Sequence, residues 1–269
     1  MSQTEFNNIL VERKESRYYV TLNRPEVRNA LTGETVAELT RILDQIEDDR
    51  AIRTLILRGA GGFFCAGGDI KAFKQLFQGE FSAEQVAAEN RAAGHFFTRL
   101  NQLPQTVLML VEGAAVGGGL GLVCTSDVAI TTADTRFALS ETSLGVPPAQ
   151  IAAFVVQRIG FTQARRLMLT AARFKGDEAE QLGLVHFSVP DSEALEQKAE
   201  EILQQIERCG PQANAITKEI LHSTQSQPLE NTLDMAARRF ATAMQSEEGR
   251  EGVAAFLEKR EPAWVTNFK

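Results

Sequence analysis

Three cysteines, Cys65, Cys124 and Cys209, are spread over 269 residues with no CxxC pair among them. An odd, widely spaced set argues against a disulfide framework and against a zinc site, and reads as a reduced, cytoplasmic protein. No apolar run approaches the roughly 18 residues that a membrane helix needs; Val107–Val111 and Leu120–Val123 are cut short by glycines and polar residues. Residues 1–8 are polar and lack the apolar centre of a signal peptide. Positive charge is in deficit, 28 Lys and Arg against 35 Asp and Glu. A net charge of -7 speaks against nucleic acid as a partner, because that binding is carried by phosphate neutralisation. It leaves room for a phosphorylated small molecule, which needs only a local basic patch. His95, His186 and His222 lie far apart and form neither a triad nor a metal set, so they read as structural or surface residues. The Lys-Ser/Thr of a P-loop is missing, no GxGxxG is followed by an acidic partner, and Ser140 lacks a GxSxG elbow. Nucleotide cradling and serine hydrolysis therefore fit poorly.

What is present is ordinary in bulk and unusual in two places. A hydrophobic fraction of 43% and a charged fraction of 23% describe a globular chain able to bury a sizeable core. Ile9–Arg13 and Tyr18–Leu22 alternate as a hairpin around a polar turn. Thr32 is a good N-cap, and Val36, Leu39, Leu43 and Ile46 recur on one helical face after it. Ile52–Leu57, Val107–Val111, Val128–Thr131 and Arg136–Leu139 read as strands, and 82–101 as a helix. The pattern of strand, strand, helix predicts an α/β core over residues 1–191. From Ser192 the chain reads as helix only, so 192–269 is set apart as a helical region. Its Met235, Phe240, Met244 and Phe256 are either extra core cover or an oligomerisation layer.

The first unusual place is Val111-Glu-Gly-Ala-Ala-Val-Gly117-Gly118-Gly119-Leu-Gly121, an apolar strand, a glycine turn and an apolar helix start. Consecutive glycines cost backbone entropy, which points to close approach of a ligand or to tight strand–helix packing. A helix start also aims free N–H groups at an anion or a developing oxyanion. The second place follows 20 residues later, in Ala138-Leu-Ser-Glu141-Thr-Ser-Leu144-Gly-Val-Pro-Pro, where Glu141 is the one carboxylate of an otherwise uncharged stretch. A set of N–H donors with one isolated carboxylate suffices for proton chemistry beside a thioester carbonyl. A second glycine site, Gly61-Gly-Phe63-Phe-Cys-Ala66-Gly67-Gly68-Asp69-Ile-Lys71, would supply a further N–H. Within it Asp69 reads as an N-cap and Lys71, taken alone, as a solvated cation.

With Asn23-Arg-Pro-Glu-Val-Arg28-Asn-Ala-Leu31, these segments resemble the enoyl-CoA hydratase/isomerase (crotonase) superfamily over nearly the whole chain. The resemblance implies a right-handed spiral of ββα turns with a C-terminal helical trimerisation region, and a homotrimer or dimer of trimers. It implies an oxyanion hole from the N–H groups of Gly68 and Gly118, and Glu141 as general acid and base. It implies that CoA, as part of the substrate and not a separate cofactor, lies along Arg28, Ala66 and Gly67 with Lys71 near the nucleotide. Phe256 and Lys259 of a neighbouring subunit would close that site. No metal is implied.

One position departs from the two-glutamate hydratases of the family. The first of their glutamates falls on Gly121, whereas the second falls on Glu141. One carboxylate alone would suit a Δ3,Δ2-enoyl-CoA isomerase. Yet 119–124, 137–141, 144–151 with Phe154-Val-Val156, and Leu169–Phe174 with Leu182–His186 resemble the subgroup that hydrates branched glutaconyl-CoA thioesters, isohexenylglutaconyl-CoA and 3-methylglutaconyl-CoA. Such substrates belong to acyclic terpenoid or leucine breakdown. A substrate that brings its own carboxylate would be repelled by a second buried glutamate, so a glycine at 121 is expected to offer room and a better field. Gly121 and Leu144 are then expected at the acyl pocket, with further walls from 73–102 and 150–154. A catalytically idle member acting as a scaffold or RNA-binding protein is the remaining reading, and Glu141, both glycine sites and the acidic balance speak against it.

Overall fold

The computed structural model describes residues 6–69 and 81–266. Strands β1 (Ile9–Lys14) and β2 (Arg17–Leu22) pair antiparallel across a two-residue turn in which Glu15 takes φ 54. Helix α1 (Gly33–Ile46) starts where the Thr32 hydroxyl accepts from the Thr35 N–H at 3.1 Å. Of the stripe read from the sequence, Leu39, Leu43 and Ile46 are buried and Val36 is half-buried, with Ile42 joining the buried face. Parallel strands then accumulate on β2: β3 (Thr54–Gly59), β4 (Thr106–Val111), β6 (Val128–Thr132) and, at the far edge, β9 (Phe187–Val189).

A second, three-stranded sheet contains β5 (Ala114–Val116), β7 (Arg136–Ala138) and β8 (Arg173–Lys175). The two sheets are threaded by one repeated unit. β4, β5 and helix α3 (Gly118–Cys124) form one turn; β6, β7 and helix α4 (Ala152–Thr170) form the next. The preceding turn is β3, a single bridge of Cys65 to Ala115, and helix α2 (Ala83–Gln102), which Ser82 and Gln85 start as a capping box. Short helix α5 (Gly176–Gln181) follows β8.

Strand alternation divides the core. Leu55, Leu57, Val107, Met109, Val111 and Ala129 face the helices α1 to α4, while Ile56, Leu108, Leu110 and Ile130 face the other way. That second face is covered by helix α6 (Ser192–Glu207) through Leu195, Ala199, Ile202, Leu203 and Ile206. The first helix after Ser192 thus closes the sheet, as the core-cover reading of this region has it. Helices α7 (Pro211–Ser226), α8 (Leu229–Gln245), α9 (Glu247–Glu258) and α10 (Ala263–Thr266) follow. They leave Leu229, Leu233, Phe240, Phe256 and Leu257 exposed. Cys65, Cys124 and Cys209 are free thiols. Among the described residues no helix is long and apolar enough to cross a membrane.

Candidate active site

The site is built where two parallel strands of the three-stranded sheet end side by side. β5 and β7 run parallel with Val116 opposite Ala138, so the glycine turn after β5 and the segment after β7 emerge side by side. The Gly117 N–H donates to Ala138 O at 2.9 Å and fixes that adjacency. Gly117 itself takes φ 51 and ψ -119, a conformation open to glycine. The Glu141 carboxylate lies over it, with Oε1 2.8 Å from where a Gly117 Cβ would stand.

Glu141 opens a short 3-10 turn, Glu141–Leu144, which Gly145 closes at φ 80. The Ser143 hydroxyl donates to Ser140 O at 2.6 Å and the Thr142 hydroxyl to Met168 O at 2.8 Å, bracing the turn against α4. Glu141 Oε2 is buried with no hydrogen-bond partner. Burial raises the carboxyl pKa above its ordinary value, and the residue's own backbone N–H opposes that rise. A carboxyl that is desolvated, with its pKa raised and one oxygen unpartnered, is suited to taking and returning a proton.

Gly68 and Gly118 come together beside it. Leu31 bridges to Gly68: the Leu31 N–H donates to Gly67 O at 2.7 Å and the Asp69 N–H to Leu31 O at 2.9 Å, which turns the Gly68 N–H to the opposite side. On that side the Cβ position of Gly118 is 3.9 Å from Gly68 N. Gly118 is the first residue of α3, so its N–H has no acceptor in the helix. Neither N–H donates to a protein acceptor among the described residues. The Gly67 N–H, by contrast, is taken by Cys65 Sγ at 3.4 Å. Cys65 is fully buried and burial pushes its thiol up to about 12, so it lines the loop as an inert group.

Gly121 differs from its expectation in one respect. It is buried one turn further along α3, and a Cβ there would meet Ile151 Cγ2 at 2.4 Å and Phe97 Cε1 at 3.4 Å. The glycine therefore opens no room for substrate; apolar side chains from α2 and the start of α4 fill the space that a carboxylate would occupy. Beyond them the Phe97 and Phe154 rings stand 6.1 Å apart, and Gln150 lies across Gly94 to bond Asn90 at 2.9 Å. Leu144 is exposed.

The remaining expected residues fall in two places. Arg28 and Asn29 both adopt left-handed backbone, at φ 53 and 56. Asn29 holds this turn by accepting from the Arg24 N–H at 2.8 Å and donating to Ala60 O and Phe63 O at 2.9 and 2.6 Å. The Ala66 N–H donates to Arg28 O at 3.0 Å, so Arg28 is tied to the loop that carries Gly67 and Gly68. Asp69 is buried and pairs with Arg24 at 3.2 Å. Lys71 and residues 73–80 lie outside the described residues. Phe256 is 83% exposed and Lys259, also exposed, caps α9 with φ 55.

A model of the enoyl-CoA hydratase/isomerase family matches residues 12–267. The chain belongs to the enoyl-CoA hydratase/isomerase family. As a member it is an enzyme of the enoyl-CoA hydratase kind, with the crotonase fold. A probable enoyl-CoA hydratase of Bacillus subtilis is 34% identical, covering 90% of this chain and 93% of its own. The short-chain-enoyl-CoA hydratase of Clostridium acetobutylicum is 32% identical over 98% and 99%. Among solved structures, Pseudomonas aeruginosa AtuE superposes with a TM-score of 0.94 at 52% identity, covering 96% of this chain and all of that one. An enoyl-CoA hydratase/isomerase from Marinobacter aquaeolei gives 0.92 at 44% identity, over 96% and 99%.

Sequence reasoning named Glu141, Gly68, Gly118 and Arg28 as family positions, and the fold brings the first three together. It missed the clamp role of Asn29, for which the tolerance of asparagine for left-handed backbone is the available signal. It also missed the pairing of Arg28 with Phe63 and Arg136, residues brought together only by the fold.

Proposed function

We propose that this enzyme adds water across the 2,3-double bond of a branched glutaconyl-CoA thioester, isohexenylglutaconyl-CoA or 3-methylglutaconyl-CoA, with Glu141 as its single acid and base. The observation that carries the reading is the Glu141 carboxylate, with Oε2 buried and unpartnered, beside the free N–H groups of Gly68 and Gly118. In the proposed step a water oxygen bonds to C3 while Glu141 takes the water proton. The π electrons move to the thioester oxygen, which accepts hydrogen bonds from Gly68 and Gly118. The enolate then collapses and Glu141 returns its proton to C2, so that H and OH have been added and the carboxylate is restored. Each backbone donor of this kind contributes ~3–4 kcal/mol to the transition state. Burial raises the pKa of Glu141, which makes it a stronger base for the proton it must accept and later return.

The choice of a carboxylated acyl group rests on the motif resemblance and on the field at Gly121. With Ile151 and Phe97 where a second glutamate would stand, no like charge opposes a substrate carboxylate there. The same packing favours a second reading: an isomerase needs only one base to carry a proton from C2 to C4. Relatives named as enoyl-CoA hydratases support hydration as the first choice. For assembly we propose a homotrimer or dimer of trimers, supported by the exposed Leu229, Leu233, Phe240 and Phe256 of the last helices; Phe256 and Lys259 would then reach a neighbour's CoA.

Absorbance of the conjugated thioester separates the readings. Loss of the band with glutaconyl substrates and little loss with crotonyl-CoA is the expected result. Equal rates on both would overturn the substrate assignment, and growth of the band from a 3-enoyl-CoA without hydration would make the enzyme an isomerase.

A further inference from the structure

Helix α2 carries a buried glycine in its middle, Gly94. A glycine inside a helix costs about 1 kcal/mol relative to alanine, so its place here needs a reason. Two polar groups fill the notch it leaves. Gln150 Oε1 occupies the place a Gly94 Cβ would take, and Arg91 Nη1 lies 2.8 Å from that place, so a larger residue would displace both. The Gln150 amide is tied down at its other end, where Nε2 donates to Asn90 Oδ1 at 2.9 Å. Arg91 is not neutralised. Arg99, two turns further along the same helix, pairs with Asp44 at 2.7 Å and Glu47 at 2.9 Å. Among the described residues Arg91 forms no ion pair.

The notch adjoins the wall over Gly121. Ile151, the residue after Gln150, and Phe97, one turn after Gly94, are the side chains that a Gly121 Cβ would meet. The Gly121 N–H donates to Gly117 O at 2.9 Å, and the Glu141 carboxylate lies over Gly117. A continuous set of contacts therefore leads from Glu141 through Gly121 to Arg91 and Gln150. Along it the wall is apolar and carries no carboxylate, and the first charge beyond it is an unpaired cation. The planar fork of a guanidinium donates two parallel N–H bonds to a carboxylate. A glutaconyl acyl group presents such a carboxylate one methylene beyond C3.

We propose that Arg91, in the notch it shares with Gln150 over Gly94, binds the free carboxylate of the acyl group and makes the enzyme select carboxylated over plain acyl-CoA thioesters. The inference rests on the glutaconyl-CoA reading above and names the residue that reads its carboxylate. That carboxylate keeps its charge throughout the reaction, so the contact is made equally in ground and transition states and acts on binding.

The test uses saturated thioesters that cannot be hydrated. Calorimetry gives Kd for 3-methylglutaryl-CoA and for isovaleryl-CoA, which carries a hydrogen in place of the carboxylate, with the full chain as wild type, Arg91→Gln and Arg91→Lys. The wild type is expected to bind 3-methylglutaryl-CoA more tightly, on the order of 10- to 100-fold. Arg91→Gln is expected to lose that preference and Arg91→Lys to recover part of it. Arg91 is exposed, so neither substitution removes core packing. Equal Kd values in the wild type, or a preference kept in Arg91→Gln, would overturn the proposal. Hydration assays beside the titrations separate it from the reading it rests on. A preference lost in Arg91→Gln, in an enzyme that hydrates no glutaconyl-CoA, would uphold the carboxylate site and overturn the hydratase. Hydration of 3-methylglutaconyl-CoA as selective in Arg91→Gln as in the wild type would uphold the hydratase and overturn the role of Arg91.

Discussion

The carboxylate of Glu141 rests on the α-carbon of Gly117, with Oε1 2.8 Å from the place a Cβ would take. Two constraints coincide at that glycine, since its φ of 51 and ψ of -119 are also closed to other residues. Gly117→Ala is therefore expected to push Glu141 out of position as well as to strain the turn. A fall in kcat on the order of 100-fold is predicted, from the sensitivity of proton transfer to a misplacement of about 1 Å. Circular dichroism and kcat measured together check it; a folded variant with wild-type kcat would show that Glu141 does not depend on this contact.

The same carboxyl sets a pH dependence of stability. Burial holds its pKa above the ordinary 4.5, so the folded chain binds this proton more tightly than the unfolded chain. The stability it contributes is complete below the ordinary value and is lost as pH rises through the raised one. Glu141→Gln removes the cost of a buried, unpartnered charge and is expected to melt above the wild type at pH 8. At pH 4 the difference is expected to disappear. Thermal melts across that range, with a gap independent of pH, would contradict the assigned cause.

Gly121 yields a prediction opposite to that of an empty pocket. A Cβ would stand 2.4 Å from Ile151 Cγ2, so Gly121→Glu is expected to destabilise the fold by about 1–3 kcal/mol or more through overpacking. It is not expected to raise the rate with crotonyl-CoA. Urea titration and steady-state rates check both halves, and a stable variant with faster crotonyl-CoA hydration would show that the site is open.

Local signals accounted for much of the architecture. Thr32 caps α1 and Ser82 caps α2, and the stripe of Leu39, Leu43 and Ile46 is buried as its period requires. Strand alternation in β3 and β4 likewise separates two cores. What could not be read were contacts between distant segments. Ile151 covers Gly121 from 30 residues away, and no spacing rule connects them. Arg28 meets Phe63 through the Asn29 turn, and Arg136 reaches it from β7, which lies beside β5. The helical tail left core cover and an oligomerisation layer both open for a related reason: the partner that buries Leu195 and Ile202 is the far face of the sheet.

The central claim is that one carboxylate both takes the water proton and returns it to C2. Single-turnover hydration of a branched glutaconyl-CoA by wild type and Glu141→Gln tests it most directly. A loss of ~100- to 10,000-fold in the chemical step, with substrate affinity nearly retained, is the predicted result for removal of the sole general acid and base. A variant within about tenfold of wild type, on the same measure of that chemical step, would mean that another group carries the proton.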